Sequence, residues 1–225
     1  MITKSNPKSL FWNNFNTETL LLKSLDSEGV SVTSTDTVLG LLAKTTQKGL
    51  KQLNTIKYCK FKRQFLILIS DAKKLSTFIQ IEYLTKIVQS IIDNCWPGPL
   101  TIIFKGKKGL PSFLAGKNNT VAIRFPTHKG LQQLLSHFDG LFSSSANLEG
   151  EDPPHNVYEL STEIIEKVDY IVIDKDIVKA KTAPSTIIDV SSIKPTGEGS
   201  VKVIRAGAFP IEILKGYCGT NFDNQ

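Results

Sequence analysis

The chain has 225 residues, 40% of them hydrophobic, which is enough for one domain with its own core. No window approaches the roughly 20 uninterrupted apolar residues of a membrane-spanning helix, and the first 25 residues lack the apolar stretch of a signal peptide. The three cysteines and three histidines lack the spacing of a disulfide framework or a metal site. We therefore expect a soluble, cytoplasmic protein with reduced cysteines, no metal ligands of its own and no membrane contact.

The net charge of +6 is unevenly distributed along the chain. Residues 37–70 contain seven Lys and Arg and no acid, and residues 94–138 contain six and no acid. Either block alone could be a solvated surface, but two such blocks favour a concentrated positive potential that attracts an anionic partner.

Apolar periodicity and turn residues predict alternating helices and strands. The strands outnumber the helices and follow no strict strand–helix–strand repeat, which is typical of a single α/β domain with a mixed, twisted sheet and flanking helices. We place this domain at residues 10–212, with a hairpin loop at 191–200 and a C-terminal tail at 213–225. In chain order, the pattern predicts a helix at 20–25, a strand at 29–34, a helix at 48–58, a strand at 65–70, a helix at 82–96, strands at 100–106 and 120–126, a helix at 128–138, a strand at 141–147, a helix at 157–168 and strands at 170–174, 185–190 and 201–207.

Hydroxyl-rich segments lie at the ends of three predicted strands. They are TSTDT at 33–37, SSSAN at 143–147 and the pair Ser185 and Thr186. Short hydroxyl side chains in such places often cap the next turn. Together with Arg124 and Arg205 in or next to strands, they also predict a polar, positively charged concavity suited to phosphate or carboxylate oxygens.

Six motifs in order resemble the YrdC family of threonylcarbamoyl-AMP synthases, and they cover roughly residues 15–210. They are STDTVLGLLAKTTQKGLKQLNTIKYCK, WPGPLTIIF, TVAIRFP, SSSAN followed by PP, STIIDV and VIRAGA. The resemblance implies a YrdC-like fold around a positively charged cavity, in the short, single-domain form of the family. Longer members carry a further C-terminal domain, for which this chain ends too early.

The resemblance also implies a reaction: L-threonine, bicarbonate and ATP give threonylcarbamoyl-adenylate and pyrophosphate. The product serves the t6A modification of tRNA, so a downstream t6A transferase complex is an implied partner. ATP would enter with Mg²⁺ held mainly by its phosphates and by water.

The motifs also assign residues to the two substrates. The L-threonine site implied by the resemblance comprises Thr35, Arg124, Ser143 and Ser185. The implied ATP site comprises Lys57, Arg63, Thr120, Ser145, Asn147, Pro153 and Arg205. No catalytic residue is identified with the same clarity, and Lys57 and Arg124 are the best candidates.

Three positions depart from the family pattern. Ser34 stands in place of a proline, which we expect only to loosen a turn. Leu39 replaces a tyrosine, which we expect to remove an aromatic wall near the threonine site. Cys59 replaces an arginine and cannot form its paired hydrogen bonds to phosphate, although Lys60, Lys62 and Arg63 lie close in sequence.

Two other functions remain open on the sequence, and a third is disfavoured. The basic blocks would also suit weak binding of tRNA or another RNA, but their aromatic residues lie in strand-like contexts rather than as exposed stacking platforms. A non-catalytic YrdC-like paralogue that binds nucleotide or RNA is the second alternative. The third, the related carbamoyl-transfer domain of hydrogenase maturation proteins, would require further segments that are absent here.

Overall fold

The computed structural model describes residues 9–59, 64–175 and 183–223. The strands are β1 (Ser9–Phe11), β2 (Ser31–Thr33), β3 (Gly40–Lys44), β4 (Leu66–Leu68), β5 (Leu100–Lys105), β6 (Thr120–Arg124), β7 (Leu141–Ser145), β8 (Tyr170–Ile173), β9 (Thr186–Asp189) and β10 (Lys202–Arg205). The helices are α1 (Thr17–Asp26), α2 (Gln47–Ile56), α3 (Leu75–Phe78), α4 (Lys86–Cys95), α5 (Lys129–Ser136), α6 (Thr162–Lys167) and α7 (Ile211–Cys218).

The ten strands form one mixed sheet in the order β1-β8-β2-β3-β7-β4-β6-β5-β9-β10. Parallel pairs such as β4 with β6 and β5 with β9 alternate with antiparallel pairs such as β7 with β4 and β5 with β6. This architecture confirms the predicted α/β domain with a mixed sheet and flanking helices.

Local sequence signals explain where several helices begin. The Thr46 side chain accepts a hydrogen bond from Gly49 N at 3.0 Å and caps α2. The His128 Nδ1 atom accepts one from Leu131 N at 3.1 Å and caps α5. Both helices then turn an apolar stripe toward the sheet, as their 3.6-residue periodicity predicts.

The two faces of the sheet are covered to different extents. One face is buried in the larger core, which includes Ile67, Ile123 and Phe142 and residues of α2 and α4. On the opposite face, Leu42, Leu68 and Leu141 pack against α1 and α5. These two helices leave the surface of β4, β5, β6 and β9 on that same face accessible, and this is where the cavity lies.

Four of the named helices and strands are absent from the sequence-based prediction: β1, β3, α3 and α7. β1 and β3 are short strands beside turn-rich segments, and β3 follows the hydroxyl-rich turn directly. α7 begins at Ile211 and ends at Cys218, so residues 213–218, where the prediction began a C-terminal tail, are helical. Packing therefore continues past residue 212: Leu214 is buried, and Val201 forms a bridge with Phe222.

The cysteines are packing residues in this fold. Burial, reinforced by the neighbouring Cys218, raises the pKa of the Cys95 thiol to about 12, and burial raises the pKa of the Cys218 thiol to about 11. Cys59 is half-buried against the core. No helix within the three described ranges is long and apolar enough to cross a bilayer.

Candidate active site

A cavity of about 290 Å³ opens on the accessible part of the sheet. Its floor follows the two-residue period of the strands, because residues that point to one face alternate along each strand. The contributing pairs are Leu66 and Leu68 on β4, Thr101 and Ile103 on β5, Ala122 and Arg124 on β6, Ser143 and Ser145 on β7, and Ser185 and Ile187 at β9. The register supports this arrangement, since Leu66 pairs with Ser143 and Ile103 pairs with Ala122.

Arg124, at the end of β6, is the buried charge in the cavity wall, with only 5% of its surface exposed. Its guanidinium forms an ion pair with Asp36, and its Nη1 donates to Thr37 Oγ1 at 2.9 Å. Its Nε is buried and has no hydrogen-bond partner among the residues that the structure describes. Burial lowers the pKa of Arg124, and the charge of Asp36 opposes that change. A second anion in the cavity would stabilise the guanidinium further.

Asp36 was not among the predicted site residues, although it lies in the middle of the TSTDT segment. One carboxylate oxygen pairs with Arg124, and the other accepts from Thr127 N at 3.0 Å and Thr127 Oγ1 at 3.2 Å. The carboxylate therefore links the turn after β2 to the segment after β6. It also holds the Arg124 guanidinium in place in the cavity wall.

The hydroxyl groups around Arg124 come from four segments. Thr35 lies in the turn after β2, where its Oγ1 donates to Val38 O at 2.7 Å and accepts from Thr37 N at 3.0 Å. Ser143 is on β7, and the Ser185 Oγ lies 2.8 Å from the Thr101 Oγ1. The cavity thus combines a buried guanidinium with several hydroxyls and an apolar floor, a combination that suits a small amphipathic anion.

Arg205 is the last residue of β10, the antiparallel neighbour of β9, and lines the same cavity. Its Nη2 and Nε donate to Ser185 O at 2.7 and 3.2 Å, and its Nη2 also donates to Ser185 Oγ at 3.3 Å. These contacts orient the guanidinium at the edge of the cavity, where the half-exposed Ile204 also contributes to the lining.

The structure brings seven of the predicted site residues together in the cavity lining. These are Thr35, Thr120, Arg124, Ser143, Ser145, Ser185 and Arg205. Lys57, Asn147 and Pro153 are not in the lining, and Arg63 lies outside the described residues, as do Lys60 and Lys62.

Lys57 occupies a buried position at the end of α2, with 1% of its surface exposed. Its Nζ donates to Ser145 O at 2.7 Å and to Asn147 O, and its own carbonyl accepts from Glu149 N at 3.0 Å. These three bonds fix the end of β7 and the residues that follow it, 146–151, which we call the β7 loop. Within that loop the Asn147 Nδ2 donates to Leu148 O and Glu151 O, both at 2.8 Å. Lys57 and Asn147 therefore shape the loop next to Ser145.

The expected convergence of both basic blocks on one cavity needs a correction. Among the described residues, Arg124 is the one positively charged side chain of the two blocks that lines the cavity. The other charged residue of the described lining, Arg205, lies outside both blocks. Other lysines of the blocks contact groups elsewhere: Lys44 pairs with Asp26 and Lys105 donates to Asn118 O. The basic residues that cluster in the sequence therefore lie on several different surfaces of the fold.

Two of the three departures from the family pattern also have a different consequence from the expected one. Leu39 packs in the core, and its neighbours Val38 and Gly40 are the residues that line the cavity. Ser34 does not loosen its turn, because its N–H donates to Val172 O and its hydroxyl donates to Asp174, both at 2.8 Å. A proline would lack both donors.

Sequence reasoning missed Thr37, Thr101 and Gln64, which also line the cavity. The signal for Thr101 was available, because it follows WPGP at the start of β5 and faces the same side of the sheet as Ile103. Gln64 gave no such signal, since it precedes β4 in an irregular segment.

Comparison with known proteins places the chain in a family. The Sua5/YciO/YrdC family model, described as "Telomere recombination", matches residues 23–207. A protein of Methanocaldococcus jannaschii named putative threonylcarbamoyl-AMP synthase is 32% identical over 196 residues, which cover 86% of this chain and 87% of that protein. A threonylcarbamoyl-AMP synthase of Coxiella burnetii is 35% identical over 158 residues, covering 67% and 81%.

Solved structures share the fold at lower sequence identity. The P. abyssi Sua5 complexed with L-threonine superposes with a TM-score of 0.77 at 22% identity; the match covers 92% of this chain and 58% of that one. An H234A/Y235A variant of the same protein gives a TM-score of 0.80 at 21% identity, covering 96% and 65%. This chain thus spans less than two thirds of both. E. coli YciO gives a TM-score of 0.73 at 21% identity, covering 92% and 97%. By its motifs, its fold and the match over residues 23–207, the chain belongs to the Sua5/YciO/YrdC family.

Proposed function

We propose that this protein is an L-threonylcarbamoyladenylate synthase, a nucleotidyltransferase that uses L-threonine, bicarbonate and ATP and releases pyrophosphate. The observation that carries the proposal is Arg124, a buried guanidinium in the wall of a cavity lined by hydroxyls. Its buried Nε has no hydrogen-bond partner among the described residues. Two curated relatives named for this activity and a threonine-bound structure of the same fold support it.

In this proposal the α-carboxylate of L-threonine lies against Arg124, with Thr35, Ser143 and Ser185 around the amino acid. A carboxylate is the natural partner of this guanidinium because it can accept charge-assisted hydrogen bonds and offsets the cost of burying the positive charge. The apolar floor of Leu66, Ile103 and Ile187 is then available to the threonine methyl group.

The chemistry forms an N–C bond and an O–P bond, and it breaks a C–O bond of bicarbonate, whose oxygen leaves as water, an N–H bond of the amine and the bond from the α-phosphorus to pyrophosphate. The threonine amine adds to carbon dioxide derived from bicarbonate and loses a proton, which gives a carbamate. A carbamate oxygen then attacks the α-phosphorus of ATP, and the bond from that phosphorus to the bridging oxygen of pyrophosphate breaks. Positioning and charge neutralisation supply most of the rate enhancement in a reaction of this kind.

The nucleotide is assigned to the end of the cavity lined by Thr120 and Ser145, next to the β7 loop, and its polyphosphate to Arg205, which lies level with Ser185 and Ile187. Arg205 is the cation of the described lining that remains near solvent, which suits a polyphosphate. Mg²⁺ is expected to enter on the phosphate oxygens with water as its other ligands. Asp36 already accepts from Arg124 and Thr127, so it is not offered to a metal ion.

The product is proposed to pass in the cytoplasm to a t6A transferase complex that modifies tRNA. Weak direct contact with tRNA is a further part of this proposal, based on the basic blocks.

The test is pyrophosphate release by the purified chain with ATP, Mg²⁺ and bicarbonate, with and without L-threonine. We expect release that depends on threonine and is lower with L-serine, which lacks the methyl group. Omitting bicarbonate and carbon dioxide should remove the signal. Release that is independent of threonine across a wide range of ATP concentrations would leave only a non-catalytic nucleotide- or RNA-binding paralogue.

A further inference from the structure

Thr101 and Ser185 form a buried hydroxyl pair in the cavity wall, with oxygens 2.8 Å apart and exposed fractions of 0% and 3%. Thr101 lies on β5 and Ser185 directly precedes β9, and the two strands are parallel neighbours. Either hydroxyl could donate to the other, so the direction of this hydrogen bond has to be decided from the surrounding groups.

Arg205 constrains the direction. Its Nη2 donates to Ser185 Oγ at 3.3 Å, and a guanidinium cannot accept a hydrogen bond, so Ser185 Oγ already accepts one. Thr101 Oγ1 has Ser185 as its hydrogen-bond partner among the described residues. If Ser185 donated to Thr101, the Thr101 hydrogen would be buried without an acceptor there, which is costly.

We propose that Thr101 is a positioning residue: it donates to Ser185, so that the Ser185 hydrogen points into the cavity. Ser185 Oγ then accepts from Thr101 and Arg205, and its own hydrogen remains for a third group. That group would be an anionic oxygen of the bound amino acid, in practice a carboxylate oxygen. This inference rests on the proposed function and adds a residue to the machinery that binds its amino-acid substrate.

The polarity has a chemical consequence. A Ser185 hydroxyl that accepts from a cation and from Thr101 is a better donor, because hydrogen bonds in a chain polarise one another. A site with its donors fixed in advance binds a carboxylate without having to reorient them.

The experiment compares Thr101→Val with wild type in the pyrophosphate assay and in calorimetric titration of L-threonine into the full chain. Valine keeps the shape and removes the donor. We expect the KM and Kd for L-threonine to rise about tenfold, with kcat and the KM for ATP changed less than about twofold. Thr101→Ser, which restores the donor, should bring the KM for threonine back toward the wild-type value.

A matched control is Thr33→Val. Thr33 is also a fully buried strand threonine, lies outside the cavity lining, and has an Oγ1 without a hydrogen-bond partner among the described residues. It should leave the KM for threonine unchanged. In a Ser185→Ala background, Thr101→Val should add nothing to the loss, because Thr101 acts through Ser185.

The outcomes test separately the proposed synthase function and the positioning role of Thr101. Wild-type protein without threonine-dependent activity or threonine binding would overturn the proposed function. Active wild-type protein with an unchanged KM for threonine in Thr101→Val would overturn the positioning role alone, as would a lower melting temperature with no change in KM. Additive losses in the double variant would do the same. If circular dichroism shows Thr101→Val to be unfolded, Thr101→Ala is measured against the same expectations.

Discussion

Motif residues on or directly beside the strands and motif residues at the end of α2 and in the β7 loop contribute differently to this cavity. Arg124, Ser143 and Ser145 are on central strands, and all three line it. Lys57 and Asn147, which lie at a helix end and in a loop, do not. The comparison teaches that motif residues of this family divide into those that form the wall of the site and those that hold a loop beside it.

Arg124→Lys is expected to have the largest effect and tests the strand-borne wall. Lysine keeps the positive charge near Asp36, but its donors all lie on one nitrogen and cannot span Asp36, Thr37 and a ligand as the planar guanidinium does. We expect kcat/KM for L-threonine to fall at least about a hundredfold, the loss of roughly two charge-assisted hydrogen bonds. The measurement is steady-state pyrophosphate release.

Circular dichroism serves as the control for Arg124→Lys, because retention of the charge should keep the variant folded with Asp36 still paired. A kcat/KM within about threefold of wild type would mean that the buried guanidinium is purely structural, and the comparison would lose its functional side.

Lys57→Ala is expected to have an intermediate effect and tests the loop-holding class. It removes the hydrogen bonds from Nζ to Ser145 O at the end of β7 and to Asn147 O in the β7 loop. A bond to a charged group contributes about 1.5–3 kcal/mol, so the melting temperature should fall by about 5 °C or more. The KM for ATP should rise about tenfold because Ser145 and its loop lose their support.

Lys51→Ala is the matched control for Lys57→Ala, since Lys51 lies exposed on the same helix. It should change neither the melting temperature nor the KM for ATP. If Lys57→Ala weakens ATP binding while the melting temperature stays constant, Lys57 reaches the phosphates directly and belongs with the wall residues.

Sequence patterns predict the residues of the cavity wall better than those that hold the β7 loop. The strands around Arg124 and Ser143 have short, apolar, alternating patterns bounded by turn residues, so their existence and the shared side of their side chains could be inferred. All four predicted threonine-site residues line the cavity: Arg124 and Ser143 lie on strands, Ser185 directly precedes β9, and Thr35 lies in the turn after β2.

The remaining features depend on tertiary contacts that have no local signal. The burial of Lys57 depends on where the β7 loop passes, about 90 residues later in the chain. The role of Asp36 depends on Thr127, which is equally distant. The size of the cavity depends on where α1 and α5 stop covering the sheet, and periodicity within one helix does not give its length relative to its neighbours.

Cys59→Arg is expected to have the smallest effect and sharpens the comparison at the connection after α2. Cys59 is half-buried against the core, and its N–H donates to Asn54 O at 3.0 Å. Arginine can leave the core side and extend its guanidinium toward the nucleotide side, where it would offer paired donors to phosphate. We expect the KM for ATP to be preserved or to fall by up to about threefold.

Cys59→Ser separates the loss of the sulfur from the gain of the guanidinium, and it should leave the KM for ATP near the wild-type value. A clear increase in the KM for ATP in Cys59→Arg, with an unchanged melting temperature, would contradict the assignment of this connection to the nucleotide side. Taken with Lys57→Ala, it would indicate that the end of α2 supports the β7 loop and has no contact with phosphate, because charge added two residues away would then bring no gain in binding.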